Sequence, residues 1–199
     1  MITPAGSKVR PTSDRTRTAL FNTLGLWIEG KKVLDLFAGS GCVGFECISR
    51  GAENVTFVEK NPAALKCINK NAIYLEETDN IDICSRDVYK FLNLIKIQNQ
   101  DTSSLSPLPA CSGSSTRGNK IKNSFDLIYA DPPFRETDII SLVESIGNSK
   151  VAHEKSILVI EHEKRKEIVE GEIYSGFECY KNAKYGKAIL SYFKVKSKK

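Results

Sequence analysis

A chain of 199 residues, 41% hydrophobic and 27% charged, is long enough for one sizeable domain with a proper core. It is not a membrane protein by hydropathy, because no apolar run approaches the length of a bilayer span. The net charge of +5, from 29 Lys+Arg against 24 Asp+Glu, is too mild to demand a polyanionic partner. The charge is uneven, however: residues 181–199 carry seven lysines and no acid. Lys8, Arg10, Arg15 and Arg17 near the start face only Asp14. Solubilising termini are the plain reading of that pattern. The first ten residues hold no apolar core of a signal peptide, so a cytoplasmic protein is expected. Six cysteines, Cys42, Cys47, Cys67, Cys84, Cys111 and Cys179, form no Cys-x-x-Cys pair. They read as reduced thiols with no zinc site and no disulfide framework. His153 and His162 stand in unrelated contexts and are assigned to no chemistry.

Thr12, Ser13 and Asp14 are capping residues ahead of Leu20, Leu24, Trp27 and Ile28 at helical spacing, which predicts a helix over 14–28. Residues 33–38 read as a buried strand interrupted by one carboxylate, Asp35, followed by Gly39, Gly41 and Gly44 and an apolar helix. A second strand is predicted over 55–59. A helix over 63–74 follows, started by Asn61 as cap and Pro62 at its first position. A third strand over 81–84 ends near Asp87, and a short helix runs over 88–97. Residues 99–124, rich in Ser, Asn, Gly and Pro, read as a flexible insertion. Residues 125–130 are a buried fourth strand that stops at Asp131-Pro132-Pro133-Phe134. A helix over 137–146, a fifth strand over 157–161 and an antiparallel edge hairpin over 172–195, turning at Tyr185-Gly186, complete the chain. Strands alternating with helices make an α/β fold with a mostly parallel sheet. Ligands in such sheets sit beyond the carboxyl ends of the strands, which puts 38–41, Glu59, Asp87 and 131–134 along one rim.

Gly39-x-Gly41-x-x-Gly44, with Glu59 about twenty residues on, matches the dinucleotide fingerprint, so a nicotinamide enzyme is a real competitor. Two features argue against it: Asp35 inside the first strand, and Asp131-Pro132-Pro133-Phe134 at the end of the fourth, where hydride transfer has no use for that tetrapeptide. S-adenosylmethionine explains the set better. It has no phosphates to be repelled by Asp35, and its amino group and sulfonium are cations that an acid favours. Glu59 then suits the ribose hydroxyls and Asp87 the adenine amino group, although each is equally a solvated strand-end acid. In Asp131-Pro132-Pro133-Phe134, two prolines without N–H groups stiffen the turn. They hold the Asp131 carboxylate and the Pro132 carbonyl as acceptors, with an aromatic beside them. That set fits a flat base bearing an exocyclic NH2, with Phe134 stacked on its face.

Taken together, these blocks resemble the family of bacterial ribosomal RNA methyltransferases that modify the N2 amino group of a guanine in small-subunit (16S) rRNA. The resemblance is carried by residues 10–15 and 19–22 (Arg-Pro-Thr-Ser-Asp-Arg and Ala-Leu-Phe-Asn). It is carried also by 34–41 (Leu-Asp-Leu-Phe-Ala-Gly-Ser-Gly), 49–52 (Ser-Arg-Gly-Ala), 57–61 (Phe-Val-Glu-Lys-Asn), 131–134 and 184–186. It spans nearly the whole chain in order. It implies a Rossmann-like class I methyltransferase domain over 1–199, with S-adenosylmethionine held by Asp35, Phe37, Ala38, Gly39, Ser40, Gly41, Glu59, Lys60 and Asp87. It implies that Thr12, Phe21 and Asn22 close over the cofactor's methionine end and that a flipped guanine lies at Asp131, Pro132, Pro133 and Phe134. RNA contacts are implied at Arg10, Arg15, Arg17, Lys184 and Lys187. No metal is implied, and a monomer is expected. Two departures stand out. The basic β-hairpin that usually precedes the Arg-Pro-Thr block is missing or reduced, and the insertion, with Arg117, Lys120 and Lys122, is longer than the usual link.

The rivals are N-methylation of adenine or cytosine in DNA, because the tetrapeptide does not name the base, and an RNA-binding protein with the cofactor fold and no catalysis. A protein amide substrate fits less well, since such sites resemble Asn-Pro-Pro-Tyr.

Overall fold

The computed structural model describes residues 1–2, 14–100, 124–133, 138–163 and 168–196. Arg10, Thr12, Phe134 and nearly all of the predicted insertion lie outside them. The strands are β1 (Lys32–Leu36), β2 (Asn54–Glu59), β3 (Ile81–Ser85), β4 (Phe125–Ala130), β5 (Ala152–Glu163), β6 (Ile173–Tyr174), β7 (Phe177–Tyr185) and β8 (Ala188–Val195). The helices are α1 (Asp14–Leu24), α2 (Cys42–Ser49), α3 (Pro62–Tyr74), α4 (Val88–Gln100) and α5 (Ile139–Ser149). The strands form one sheet in the order β3-β2-β1-β4-β5-β8-β7-β6. The first five run parallel and the last three antiparallel. The expected α/β class, a mostly parallel sheet with a C-terminal antiparallel hairpin, is what the chain adopts.

Side chains alternate across β1, so the central strand feeds two cores. Val33 shares one core with Leu20 of α1, Val43 of α2 and Ile68 of α3. Leu34 and Leu36 share the other with Phe91 of α4 and Leu142 of α5. With both faces covered, β1 and β4 are nearly continuous apolar runs, as buried parallel strands are.

The differences from the sequence reading have local causes. The first helix ends at Leu24, because Gly25 takes φ +55 and only a single 3-10 turn (Gly25–Ile28) follows. β1 stops at Leu36, since Phe37 takes φ +58 and leaves the extended region. α4 runs on to Gln100, so Asn99 is helical rather than the start of an insertion. Its side-chain amide donates to the Ser149 carbonyl at 3.0 Å. α5 starts at Ile139 with Asp138 as its cap. β5 is longer than predicted. The hairpin is not all edge: β8 is interior and β6 covers β7. Among the described residues Cys42, Cys47, Cys67 and Cys179 are free, whereas Cys84 is disulfide-bonded. The reading of six reduced thiols therefore fails there, because sequence spacing carries no information on which distant thiols meet. Among the described residues, no helix is long and apolar enough to cross a membrane.

Candidate active site

β1 delivers Asp35 to the face covered by α2, where it is only 2% exposed. The N-cap of α2 is Gly41, at φ +81, which has no side chain to accept the orphan amides of the first turn. Asp35 does this from the sheet: its Oδ2 accepts the Gly44 N–H at 3.1 Å. Burial raises the Asp35 pKa, the Gly44 amide opposes that, and the Glu59 charge adds to it, so the carboxyl stands at about 7 against 3.8. The three glycines differ in what they do. A Cβ on Gly44 would lie 2.2 Å from the Phe57 ring, so the missing side chain lets α2 sit down on β2. A Cβ on Gly39, at φ +57, would meet nothing within 4 Å. The loop is therefore packed underneath and open above.

Glu59, at the end of β2, holds the same loop from the side. Its Oε2 accepts the Gly39 N–H at 2.8 Å, and its Oε1 accepts the amides of Lys60 and Asn61, each at 2.8 Å. Asp87 begins α4, its Oδ1 accepting the Tyr89 amide at 3.1 Å and its Oδ2 lying 3.1 Å from Lys60 Nζ. Burial pushes the Asp87 carboxyl up, but the Lys60 ammonium and the helix amides outweigh it and hold it below its usual value. Asn71 of α3, fully buried, donates its amide to the Ser40 carbonyl at 3.1 Å and to the Ile2 carbonyl at 3.0 Å. The sequence reading missed Asn71. Its one signal is a polar residue at a core position of an otherwise apolar stripe, between Ile68 and Ala72.

The Asp-Pro-Pro turn stands beside this loop. β4 is the direct neighbour of β1, with Asp35 in register with Tyr129 and Leu36 with Ala130. The Asp131 N–H still reaches the Leu36 carbonyl at 3.4 Å. Pro132 is buried, Pro133 exposed and Asp131 partly exposed. Below the turn, the buried Tyr129 hydroxyl donates to Glu161 Oε2 of β5 at 2.9 Å. The sequence reading placed Glu161 at a strand end and gave it no role. Phe37, whose φ is strained for a side-chain-bearing residue, is the residue that turns the chain from β1 into the glycine loop.

The remaining sequence candidates divide. Asp35, Phe37, Ala38, Gly39, Ser40, Gly41, Glu59, Lys60 and Asp87 come together on the rim, with Asp131, Pro132 and Pro133 beside them. Phe21 and Asn22 do not join them. Phe21 is a core side chain 1% exposed, with the Arg50 guanidinium 4.7 Å over its ring. Arg50 caps the C-terminus of α2, the end opposite the glycine loop. Asn22 points to solvent. Of the two residues expected to close over a cofactor, Phe21 thus packs in the core beside the C-terminal end of α2 and Asn22 is exposed. Arg15 is exposed at the start of α1, and Arg17 pairs with Asp14 at 2.9 Å. Lys184 and Lys187 are exposed at the β7–β8 tip. Ala188 pairs with Glu163, the last residue of β5, so this tip sits at the rim end of the sheet. Among the described residues, no group of three or more His, Cys, Asp or Glu could hold a metal.

Known proteins are similar to this chain in sequence and fold. The chain is 29% identical over 166 residues to Bacillus subtilis YlbH, provisionally named an rRNA methyltransferase, covering 83% of this chain and 78% of that one. It is 28% identical over 162 residues to the ribosomal RNA small subunit methyltransferase D of Haemophilus influenzae, covering 81% and 72%. Its fold matches an Escherichia coli structure provisionally named methyltransferase yhhF, with TM-score 0.70, 22% identity and coverage of 95% and 89%. The model of the family described as conserved hypothetical protein 95 matches residues 1–107 and 110–194, and the chain belongs to that family.

Proposed function

We propose that this protein transfers a methyl group from S-adenosylmethionine to the exocyclic N2 amino group of a guanine in small-subunit ribosomal RNA. The observation that carries the reading is the adjacency of two unlike devices on neighbouring strands. A glycine loop held by two carboxylates ends β1, and a rigid Asp-Pro-Pro turn ends β4. The names of the relatives support the RNA substrate. On this reading residues 1–199 are one methyltransferase domain, working in the cytoplasm as a monomer.

The loop fits the cofactor on its chemistry. A dinucleotide would bring its pyrophosphate to the α2 N-terminus, where Asp35 already takes the Gly44 amide and Glu59 stands alongside. Two carboxylates there oppose phosphates and favour a cationic, phosphate-free molecule. The open face above Gly39 leaves room for it. Residues 37–41 would line it, with Glu59 toward the ribose and Asp87 toward the base. The cofactor supplies a methyl group on a sulfonium that is already a good leaving group.

The protein's share is alignment and charge. The Asp131 carboxylate and Pro132 carbonyl accept the two hydrogens of the amino group and turn its lone pair toward the methyl donor. Holding two reactants in near-attack geometry can contribute roughly 7–11 kcal/mol. Asp131 then stabilises the positive charge that develops on the nitrogen. Withdrawing the base from its stack costs a few kcal/mol, and stacking on Phe134 offsets about 1–3 kcal/mol of that. Arg10, Arg15, Arg17, Lys184 and Lys187 would meet the RNA backbone.

The deciding assay offers tritiated S-adenosylmethionine with unmodified small-subunit RNA, naked and as assembled particle, and with DNA. Methyl incorporation as N2-methylguanine in the RNA is expected. Transfer to adenine or cytosine of DNA, or binding without transfer, would overturn the reading.

A further inference from the structure

The Asp-Pro-Pro turn accepts the two hydrogens of an amino group and so treats guanine and adenine alike. We propose that Glu161 is the residue that selects guanine, by accepting the N1–H beside the amino group. This inference rests on the guanine reading above and adds to it the source of base selectivity.

Sheet order and register place Glu161 for this. The cofactor loop lies over β1 and β2, Asp131 ends β4, and β5 is the next strand outward. Ala130, the last residue of β4, is in register with Ile160, so Asp131 leaves β4 beside Glu161 of the neighbouring strand. Strand alternation carries the Glu161 side chain to the α1-covered face, the face of Tyr129. A base whose amino group points from β4 toward the methyl donor on β1 extends its ring outward, over β5. The group next to the amino on the pairing edge is N1. In guanine it is a donor, which a carboxylate oxygen accepts. In adenine it is a lone pair, which a carboxylate repels.

Glu161 is also built to hold one position. It is 4% exposed, and the fully buried Tyr129 hydroxyl fixes its Oε2 at 2.9 Å. An acceptor held out of water discriminates more strongly than a solvated one, because a mismatched partner cannot be traded for water. Tyr129 is then a positioning residue that acts through Glu161.

The test uses small-subunit RNA ligated around a synthetic segment. At the methylated position it carries either guanine or 2,6-diaminopurine, which keeps the N2 amino group but has a lone pair at N1. The wild-type protein should prefer guanine by roughly 10- to 100-fold in kcat/KM, the range for a hydrogen bond to a charged group. Glu161→Gln should bring the ratio close to one, because the amide turns to donate to N1 of the analogue, while S-adenosylmethionine affinity by calorimetry stays unchanged. Tyr129→Phe should give an intermediate ratio. Equal use of both bases by the wild-type protein overturns the proposal even if Glu161→Gln fails to fold. So does a Glu161→Gln protein that loses rate but keeps the wild-type ratio. If the wild-type protein methylates no guanine at all, the guanine reading itself has failed. If it methylates guanine and diaminopurine equally, only the role of Glu161 has.

Discussion

Asp35 shows how one residue couples the stability of this fold to its site. The carboxyl is buried beneath α2 and stands at about 7 against an ordinary 3.8, chiefly through burial. Between those values the folded state holds the proton more tightly than the unfolded chain does. This group's contribution to stability is therefore complete below about pH 4 and lost as the pH rises through about 7. At about 1.36 kcal/mol per pKa unit, the loss is on the order of a few kcal/mol. Asp35→Asn cannot ionise but keeps an oxygen for the Gly44 amide. Its thermal midpoint should match the wild-type protein at pH 4 and exceed it at pH 8; parallel melting at both pH values would refute the assignment. Asp131→Ala tests the opposite kind of residue. It should fold and bind S-adenosylmethionine normally yet lose roughly 10²- to 10³-fold in kcat, the scale of removing one group aimed at developing charge. Near-wild-type turnover would remove Asp131 from the chemistry. Both acids were legible in the sequence because their context is local: one sits inside an apolar strand ahead of glycines, the other ahead of two prolines. Asn71 and the Tyr129–Glu161 pair were not, because their partners are 31 and 32 residues away, and only the register of the sheet brings them together.

At the scale of elements, most of the chain announced itself. Asn61-Pro62 starts α3 as capping chemistry requires, with the Asn61 side chain accepting from the Ala63 amide at 2.8 Å. The boundaries that moved did so at left-handed residues, Gly25 and Phe37, which hydrophobic pattern does not reveal. The surroundings of Phe21 and Asn22 were illegible for a different reason: resemblance fixes the order of motifs, whereas only packing shows which side chains of α1 are buried. The β7–β8 hairpin matters for a further reason. Its two-residue turn at Gly186-Lys187 presents Lys184 and Lys187 at the rim, with no acid between 181 and 199 to neutralise them. If these lysines meet RNA phosphates, each contact lowers the slope of log affinity against log salt by about 0.7–0.9. The double variant Lys184→Glu and Lys187→Glu should bind small-subunit RNA more weakly and with a shallower salt dependence, while S-adenosylmethionine affinity is unchanged. An unaltered salt slope in a filter-binding titration would return these lysines to the role of a solvated tip.

At the scale of the whole molecule, the candidate site gathers at one end of the sheet, and the longest connection departs and returns at the other. α4 ends and β4 begins beside the same short segment: Asn99 donates to the Ser149 carbonyl at 3.0 Å, and the Phe125 amide donates to the Val151 carbonyl at 2.9 Å. The two ends of the 101–123 connection are therefore anchored next to each other, opposite the rim that carries Glu59 and Asp131. A protein in which 101–123 is replaced by a short Gly-Ser linker should keep its fold, because a few residues span neighbouring anchors. Each halving of a loop returns only about 0.6 kcal/mol, so the thermal midpoint should shift little, and upward. The measurement belongs in reductant, so that the disulfide of Cys84 plays no part. S-adenosylmethionine affinity should be unchanged, since neither anchor touches the glycine loop. A large drop in midpoint or in cofactor affinity would mean that the connection packs on the core. Loss confined to RNA affinity would assign Arg117, Lys120 and Lys122 to the substrate and extend the basic surface beyond the rim.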